Sequence, residues 1–327
     1  VRALVVSELL PDFAGVAVQE VAPPKPGPGQ VLVRVRAASV NFPDLLMTRG
    51  EYQLKPPLPF TPGMDVAGEV AALGESVTGL KIGDAVVGGA RLGGFAEYAV
   101  MEAAGLNPKP ERLSFAQAAA YPAAYLTAWV SLVRRAQVQP GEWVLVHGAA
   151  GGVGLAALDL AKVLGARTIA ASASDAKLEV IQREYAPDAV VNVTGGFREQ
   201  VKAITGGRGA DVIYDPVGGD VFDESTRCIA FDGRLLVVGF TSGRIPIVSV
   251  NMPLIKGFSV LGVRAGEYGR QFPEKGRENA KAVYDFAASG KIKPRVHAEL
   301  PLDQWRDAFA LLANRQVIGK AVIRPDL

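Results

Sequence analysis

The sequence predicts an α/β protein in which a β-rich domain, drawn from both ends of the chain, surrounds a doubly wound parallel sheet. Three observations lead there. The first hundred residues break into short apolar runs separated by proline and glycine clusters. The middle alternates apolar strands with amphipathic helices. The stretch HGAAGGVG, residues 147–154, stands at the first strand-to-helix junction of that alternation.

From Val1 to about Val100 the runs RALVV, GQVLVRVRAASV, DVAGEVAAL, GDAVVGG and FAEYAV read as strands, and APPKPGPGQ and LKPPLPFTPG as long turns. The stretch LSFAQAAAYPAAYLTAWVSLVRRAQVQPG then reads as an apolar helical passage, with Ser114 as its N-cap and Pro140-Gly141 as its stop. The alternation follows: EWVLVHG, a helix through VGLAALDLAKVLGA, RTIAAS, a helix through DAKLEVIQREY, DAVVN, a helix through FREQVKAIT, ADVIYDPVG, a helix through FDESTRCIA, and GRLLVVGF. Strands with few charges between amphipathic helices belong to a parallel sheet covered on both faces. The tail returns to mixed elements. The expected division is residues 1–118, the first part of the β-rich domain; 119–260, the parallel-sheet domain; and 261–327, the completion of the first.

The bulk numbers narrow the function classes. A chain of 327 residues exceeds one ordinary core, and 49% hydrophobic and 21% charged residues with a net charge of +2 give no basic footprint for nucleic acid. The single cysteine, Cys228, excludes an internal disulfide framework and a thiolate-rich zinc site, and fits a reducing compartment. The start, VRALVVSELLPDFAG, has a strand pattern rather than that of a secretory signal, and no window is long and apolar enough for a membrane span. A cytoplasmic protein is expected.

At the glycine turn, Gly151, Gly152 and Gly154 suit a backbone that bends sharply and brings helix N-terminal amides to a pyrophosphate. Ala149 stands where the first glycine of G-x-G-x-x-G is usual. A tight strand-helix turn with close packing is the bland alternative, but the position opening a βα series favours a dinucleotide. An NAD site places an acid about 20 residues on, at the end of the second strand. Here the sequence has IAASASDAK, with Ser172 in that zone, Ser174 next, and Lys177 one turn into the helix. Two hydroxyls and a cation suit a 2′-phosphate, so NADP(H) is expected over NAD(H). Ser174 could equally be a plain helix cap, Lys177 surface, and Asp175 a displaced ribose ligand.

Several further segments extend along nearly the whole chain: AASVNFPDLLMTRGEY, PFTPGMDVAGEV, LGESVTGLKIGDAVVG, GGFAEYAV, VQPGEWVLVHGAAGGVG, DVIYDPVGG and GRLLVVGFTSG. With them the sequence resembles the zinc-free quinone oxidoreductase (zeta-crystallin-like) group of the medium-chain dehydrogenases/reductases. In that group AAGGVG is the usual form of the turn. The resemblance implies a GroES-like β-rich catalytic domain around a Rossmann domain, a homodimer, and NADP(H) as cofactor. It implies that Thr127, Ala150, Gly151, Gly152 and Val153 line the nicotinamide and pyrophosphate side, and that Ser172 and Lys177 meet the 2′-phosphate. Val217, Gly239, Phe240 and Thr241, with Arg264 and Lys320, are implied to line the rest of the cofactor cleft. One departure stands out: these enzymes often end the third strand in Asn-Tyr, and this chain has Asn192-Val193.

Zinc alcohol dehydrogenases of the same superfamily carry Gly-His-Glu where this chain has Gly63-Met64-Asp65, and no cysteine lies nearby. No metal is therefore expected, and His147 and His297 are expected to be structural or surface residues. Without a Lewis acid, hydride transfer to a conjugated acceptor is favoured, because charge spreads over its π system. The resemblance matches Asn41 and Tyr52 to the polar pair facing the nicotinamide: Tyr52 as oxyanion donor or general acid, Asn41 as substrate-orienting amide. The acceptor expected is a quinone, with an alkenal, enone or enoyl thioester as the alternative. A non-catalytic, crystallin-like NADPH-binding protein is a third class, against which the retention of both residues argues.

Overall fold

Along the strand Gln30–Ser39, Val31, Val33 and Val35 are buried while Arg34 points to solvent, the period of two that a half-covered sheet requires. A computed structural model covering residues 1–327 places this strand at the centre of a seven-stranded sheet. The order across the sheet is Val296–Pro301, Lys320–Arg324, Gln30–Ser39, Asp65–Leu73, Ala85–Gly89, Leu106–Pro108, and Tyr98–Glu102 also pairs with Gln30–Ser39. The C-terminal strand Lys320–Arg324 pairs antiparallel with the end of Gln30–Ser39, so both ends of the chain build this unit. Its core gathers Leu45, Met47, Phe95, Trp305 and Phe309, with Phe13 edge-on to both Trp305 and Phe309.

The second unit, Ala124–Lys293, is a six-stranded sheet whose pairings are all parallel. Its order is Ala189–Asn192, Arg167–Ser172, Trp143–Val146, Ala210–Asp215, Ile229–Val237, Ser259–Gly262. The order reverses direction between Trp143–Val146 and Ala210–Asp215, and a crevice for ligands opens beyond the C-terminal ends of strands at such a point. Leu145, Ile169, Ile213 and Leu235 are fully buried between the covering helices, and Cys228 lies in the same core, where burial pushes its thiol up to about 12. No helix is long and apolar enough to cross a membrane.

Two sequence expectations need correction. The first concerns the boundaries. The chain crosses between the units at Ala123/Ala124 and Lys293/Pro294, not at 118/119 and 260/261, so residues 261–293 do not complete the β-rich domain. The strand Ser259–Gly262 extends the parallel sheet. Asn279 on the helix Pro273–Ser289 accepts from Trp129 Nε1 at 3.1 Å and Arg134 Nε at 2.7 Å, which ties that helix into the nucleotide unit. Buried Asp159 accepts from both the Tyr125 hydroxyl and the Lys293 N–H at 2.7 Å, clamping the unit's two chain crossings side by side. None of these pairings leaves a local trace in sequence.

The second correction is to the long apolar helix. Ser114 is its N-cap, accepting from Gln117 N at 3.1 Å, but the passage is Phe115–Ala120, then Pro122–Trp129, then a π-helical turn Val130–Arg135. Pro122 has no N–H to continue the first helix and opens the second instead. The passage ends at Ala136 and a left-handed Gln137, ahead of Pro140.

Candidate active site

The glycine turn explains its own composition. Gly148, with φ of +55°, carries the left-handed backbone conformation, and Ala149 does not, so alanine fits where a glycine is usual. The Ala149 methyl is fully buried. Gly154 is required by close approach: a Cβ there would lie 2.2 Å from the Gly148 carbonyl oxygen. The helix Gly152–Val163 starts at Gly151, and no side chain caps it. Gly151 is exposed and Gly152 and Val153 are half-buried, so the first turn presents unpaired amides and the positive end of the helix dipole. This is a cradle for a phosphate, and the residues fit a dinucleotide's pyrophosphate. Ala150, Gly151, Gly152 and Val153 form the turn and the first residues of this helix.

Across the switch point the next turn is built by Asp215, buried, whose Oδ1 accepts from the N–H groups of Val217 at 2.8 Å and Gly218 at 2.9 Å. Burial raises the Asp215 pKa while those two N–H groups oppose the shift. Thr241 and Ser242 N–H groups then donate to the carbonyls of Pro216 and Val217 at 3.1 and 2.9 Å, and a Cβ on Gly239 would lie 3.2 Å from the Pro216 oxygen. Val217, Gly239, Phe240 and Thr241 therefore form one wall. A Cβ on Gly148 would meet the Val217 side chain at 3.4 Å, so wall and phosphate cradle adjoin. Thr127 is half-buried on the helix Pro122–Trp129, its carbonyl accepting from Ser131 Oγ at 2.7 Å. Arg264 lies in this unit too, exposed and 3.9 Å from Glu267.

At the end of the second strand, Ser172 Oγ accepts from Ser174 N at 3.3 Å, and Ser174 caps the next helix by accepting from Lys177 N at 3.4 Å. Lys177 is half-buried, and desolvation lowers the pKa of its ammonium. Asp175, the first helical residue, is exposed and accepts from Asn192 Nδ2 at 2.6 Å.

In the β-rich unit, Asn41 sits at the N-cap of the helix Phe42–Thr48, and the reciprocal bond of a capping box is present: Asn41 N donates to Asp44 Oδ2 at 2.8 Å. The Asn41 side chain is buried and held at both ends. Its Oδ1 accepts from Lys320 Nζ; its Nδ2 donates to Asp65 Oδ2 at 3.0 Å and to the Ser39 carbonyl at 3.2 Å. Asp65 also accepts from Ser39 Oγ at 3.2 Å and from the N–H of Ala123. Asp44 accepts from Gly63 N at 3.0 Å. Burial pushes Asp44 up to about 7, against the two N–H groups it accepts from, and raises Asp65 against the pull of Lys320. Desolvation lowers Lys320, and Asp65 and Asp44 hold it up.

This network was only half legible. Asn41 and Lys320 were expected in the site, but not as each other's partners: the Lys320 ammonium is engaged inside the β-rich unit. A hydrogen-bonded turn of Asn41 and Asp44 ahead of a short helix is the plain reading of NFPD, whereas Asp65 carries no role in the sequence reading. The Asn41-to-Asp44 spacing of three is a capping signal; Asp65 and Lys320 meet only through sheet pairing. Tyr52 is half-buried and packs on the core of the same unit, beyond a C-terminal turn in which Gly50 has φ of +71°. Asn41 and Tyr52 lie on either side of the seven-residue helix Phe42–Thr48. His147 is buried edge-on to Phe197 with Nε2 2.9 Å from Ser225 Oγ, and burial pushes it down to about 3. His297 accepts from Ile318 N at 3.3 Å on the exposed edge.

Two family models match the chain: the alcohol dehydrogenase GroES-like domain over residues 27–111 and the zinc-binding dehydrogenase domain over 152–283. A mouse protein named quinone oxidoreductase-like protein 2 is 40% identical over 94% of this chain and 88% of its own length. The pig quinone oxidoreductase is 32% identical over 93% of this chain and 92% of its own length. Among solved structures, an Escherichia coli quinone oxidoreductase complexed with NADPH superposes with a TM-score of 0.89 at 30% identity, covering 99% of this chain and all of that one.

Proposed function

The chain belongs to the quinone oxidoreductase group of the medium-chain dehydrogenases/reductases, and from that premise we propose that it reduces a quinone with NADPH and needs no zinc. The observation that carries the cofactor is the uncapped helix start at Gly151, framed by Gly148, whose left-handed backbone disfavours a side chain, and Gly154, which has no room for one. The amides of Gly152 and Val153 hold the pyrophosphate, Ser172 and Lys177 meet the 2′-phosphate, and Val217, Gly239, Phe240 and Thr241 wall the cleft, with Thr127 and Arg264 in the same unit. NADPH, when bound, supplies the hydride.

The residues of the β-rich unit handle the acceptor. Tyr52 donates its phenolic hydrogen bond, or its proton, to the acceptor oxygen on which negative charge develops. Asn41 orients the acceptor, and Lys320 acts through Asn41 rather than on a phosphate. Where zinc relatives carry Gly-His-Glu, the side chains are Met64 and Asp65, and no three His, Cys, Asp or Glu side chains converge as a metal site would need. The donor chemistry therefore favours a proton donor over a Lewis acid.

The test is an NADPH-oxidation panel of benzoquinone, naphthoquinone, alkenals and enoyl-CoA esters, with aldehydes and alcohols as controls. Turnover is expected with the quinones and not with the controls. Turnover of enoyl esters or alkenals alone would replace the quinone by an activated double bond. Tight NADPH binding with no acceptor reduced would make the protein a binder.

We also propose a homodimer built on the nucleotide unit. Its edge strand Ser259–Gly262 is unpaired on one side, and Phe231 on the neighbouring strand and Ile247, Val250 and Leu254 in the segment leading into the edge strand are each more than 80% exposed. Apolar side chains massed beside an open strand edge are uncommon on a monomer, and one patch serves both subunits of a two-fold pair. Sedimentation is expected to give twice 34.4 kDa, and Val250→Glu with Leu254→Glu to shift the mass toward the monomer. A monomeric parent protein would overturn this. The single buried cysteine fits the reducing cytoplasm.

A further inference from the structure

We propose that Asn192 is a positioning residue for cofactor choice: it draws the Asp175 carboxylate toward the third strand, and so lets Ser172 and Lys177 favour a 2′-phosphorylated adenosine. The inference rests on the NADP(H) reading above and deepens it.

The problem it solves is a carboxylate in the wrong place. Asp175 follows the cap residue Ser174 and stands two residues before Lys177, in the same helical turn as the groups that suit a 2′-phosphate. A carboxylate there repels a phosphate dianion, and pointed at the ribose it accepts from a plain 2′-hydroxyl, which is how NAD sites select. In this chain the carboxylate is occupied. Asn192 Nδ2 donates to Asp175 Oδ1 at 2.6 Å, and the amide is held in that sense because its own Oδ1 accepts from Thr194 N at 2.9 Å.

The backbone sets where Asn192 stands. It pairs in register with Ser172 across the parallel ladder, and the next residue, Val193, donates its N–H to the Ser172 carbonyl at 3.1 Å. Gln200 Nε2 donates to the Asn192 carbonyl at 3.2 Å, fixing the strand end from the following helix. The end of the second strand and the side chain that restrains Asp175 are therefore one rigid piece. The hydroxyl oxygens of Ser172 and Ser174 serve as acceptors there, so the bonds that place them do not use their hydrogens. Those hydrogens remain for an anionic oxygen. Asn192 thus contributes to phosphate selection without touching the phosphate.

The experiment titrates adenosine 2′,5′-bisphosphate and 5′-AMP calorimetrically into the full chain and its variants. The parent is expected to prefer the bisphosphate. Asn192→Ala is expected to weaken the bisphosphate about tenfold, the scale of a like-charge repulsion near a protein surface, and to leave AMP unchanged or slightly tighter. The loss should shrink as salt is raised. Asp175→Ala alone should keep or strengthen bisphosphate binding, and the double variant Asn192→Ala/Asp175→Ala should recover the parent's preference. A structural role for Asn192 predicts no such rescue. An unchanged ligand ratio in Asn192→Ala, or a double variant that stays weak, would falsify the proposal. A parent that prefers AMP would instead overturn the NADP(H) reading itself.

Discussion

Lys320→Met is expected to cost about 3–5 kcal/mol of folding stability at about pH 8, the scale seen when one member of a buried ion pair is removed, and distinctly less at about pH 6. Lys320 is the cation that faces both Asp65 and Asp44 inside the β-rich unit. Burial already pushes Asp44 up to about 7 and raises Asp65, with Lys320 opposing both shifts. Without the ammonium both carboxyl pKa values rise further above their unfolded values. Between the unfolded and folded values the native state then holds more protons than the unfolded state, so stability falls as pH rises through that window. The parent is expected to carry this slope up to about 7, where burial places Asp44. The variant extends it, so its added deficit opens above about pH 7 and narrows in mild acid. Denaturant unfolding at the two pH values measures it, and adding Asp65→Asn should return part of the loss at the higher pH. An equal deficit at both would mean that Lys320 contributes packing alone.

Tyr52→Phe is expected to lower turnover about a hundredfold, the usual scale for losing one general acid or oxyanion donor, while leaving NADPH affinity and fold stability near the parent's. The ring stays because it packs on the core of its unit; only the hydroxyl goes. The separation of kcat from cofactor binding is what identifies a group acting in the transition state. Matching losses in kcat and NADPH affinity, or no loss, would remove Tyr52 from the chemistry. Asn41 offers no such clean deletion, because truncating it strips partners from Lys320 and Asp65 as well.

Local chemistry was legible wherever one segment carried it. Strand Gln30–Ser39 announced itself by alternation, the helix at Phe115 by the Ser114 cap, and the phosphate cradle by glycines spaced around a strand-helix junction. Even the alanine at 149 was readable as a variant, although only the backbone shows why it fits: the left-handed turn falls at Gly148. Boundaries read less well. Residues 261–293 look from their composition like the mixed elements of the first domain, and only the parallel pairing of Ser259–Gly262 and the buried bonds to Asn279 and Asp159 assign them to the second.

The sequence by itself therefore determined the two-domain α/β plan and the dinucleotide turn. Tertiary structure alone decided that Lys320 answers to Asn41, Asp44 and Asp65, and that Asn192 restrains Asp175. The reason is physical. Periodicity, caps and turns depend on neighbours a few residues apart, whereas a buried charge finds its partners through sheet register, and strand Lys320–Arg324 reaches Asn41 across 279 positions of chain.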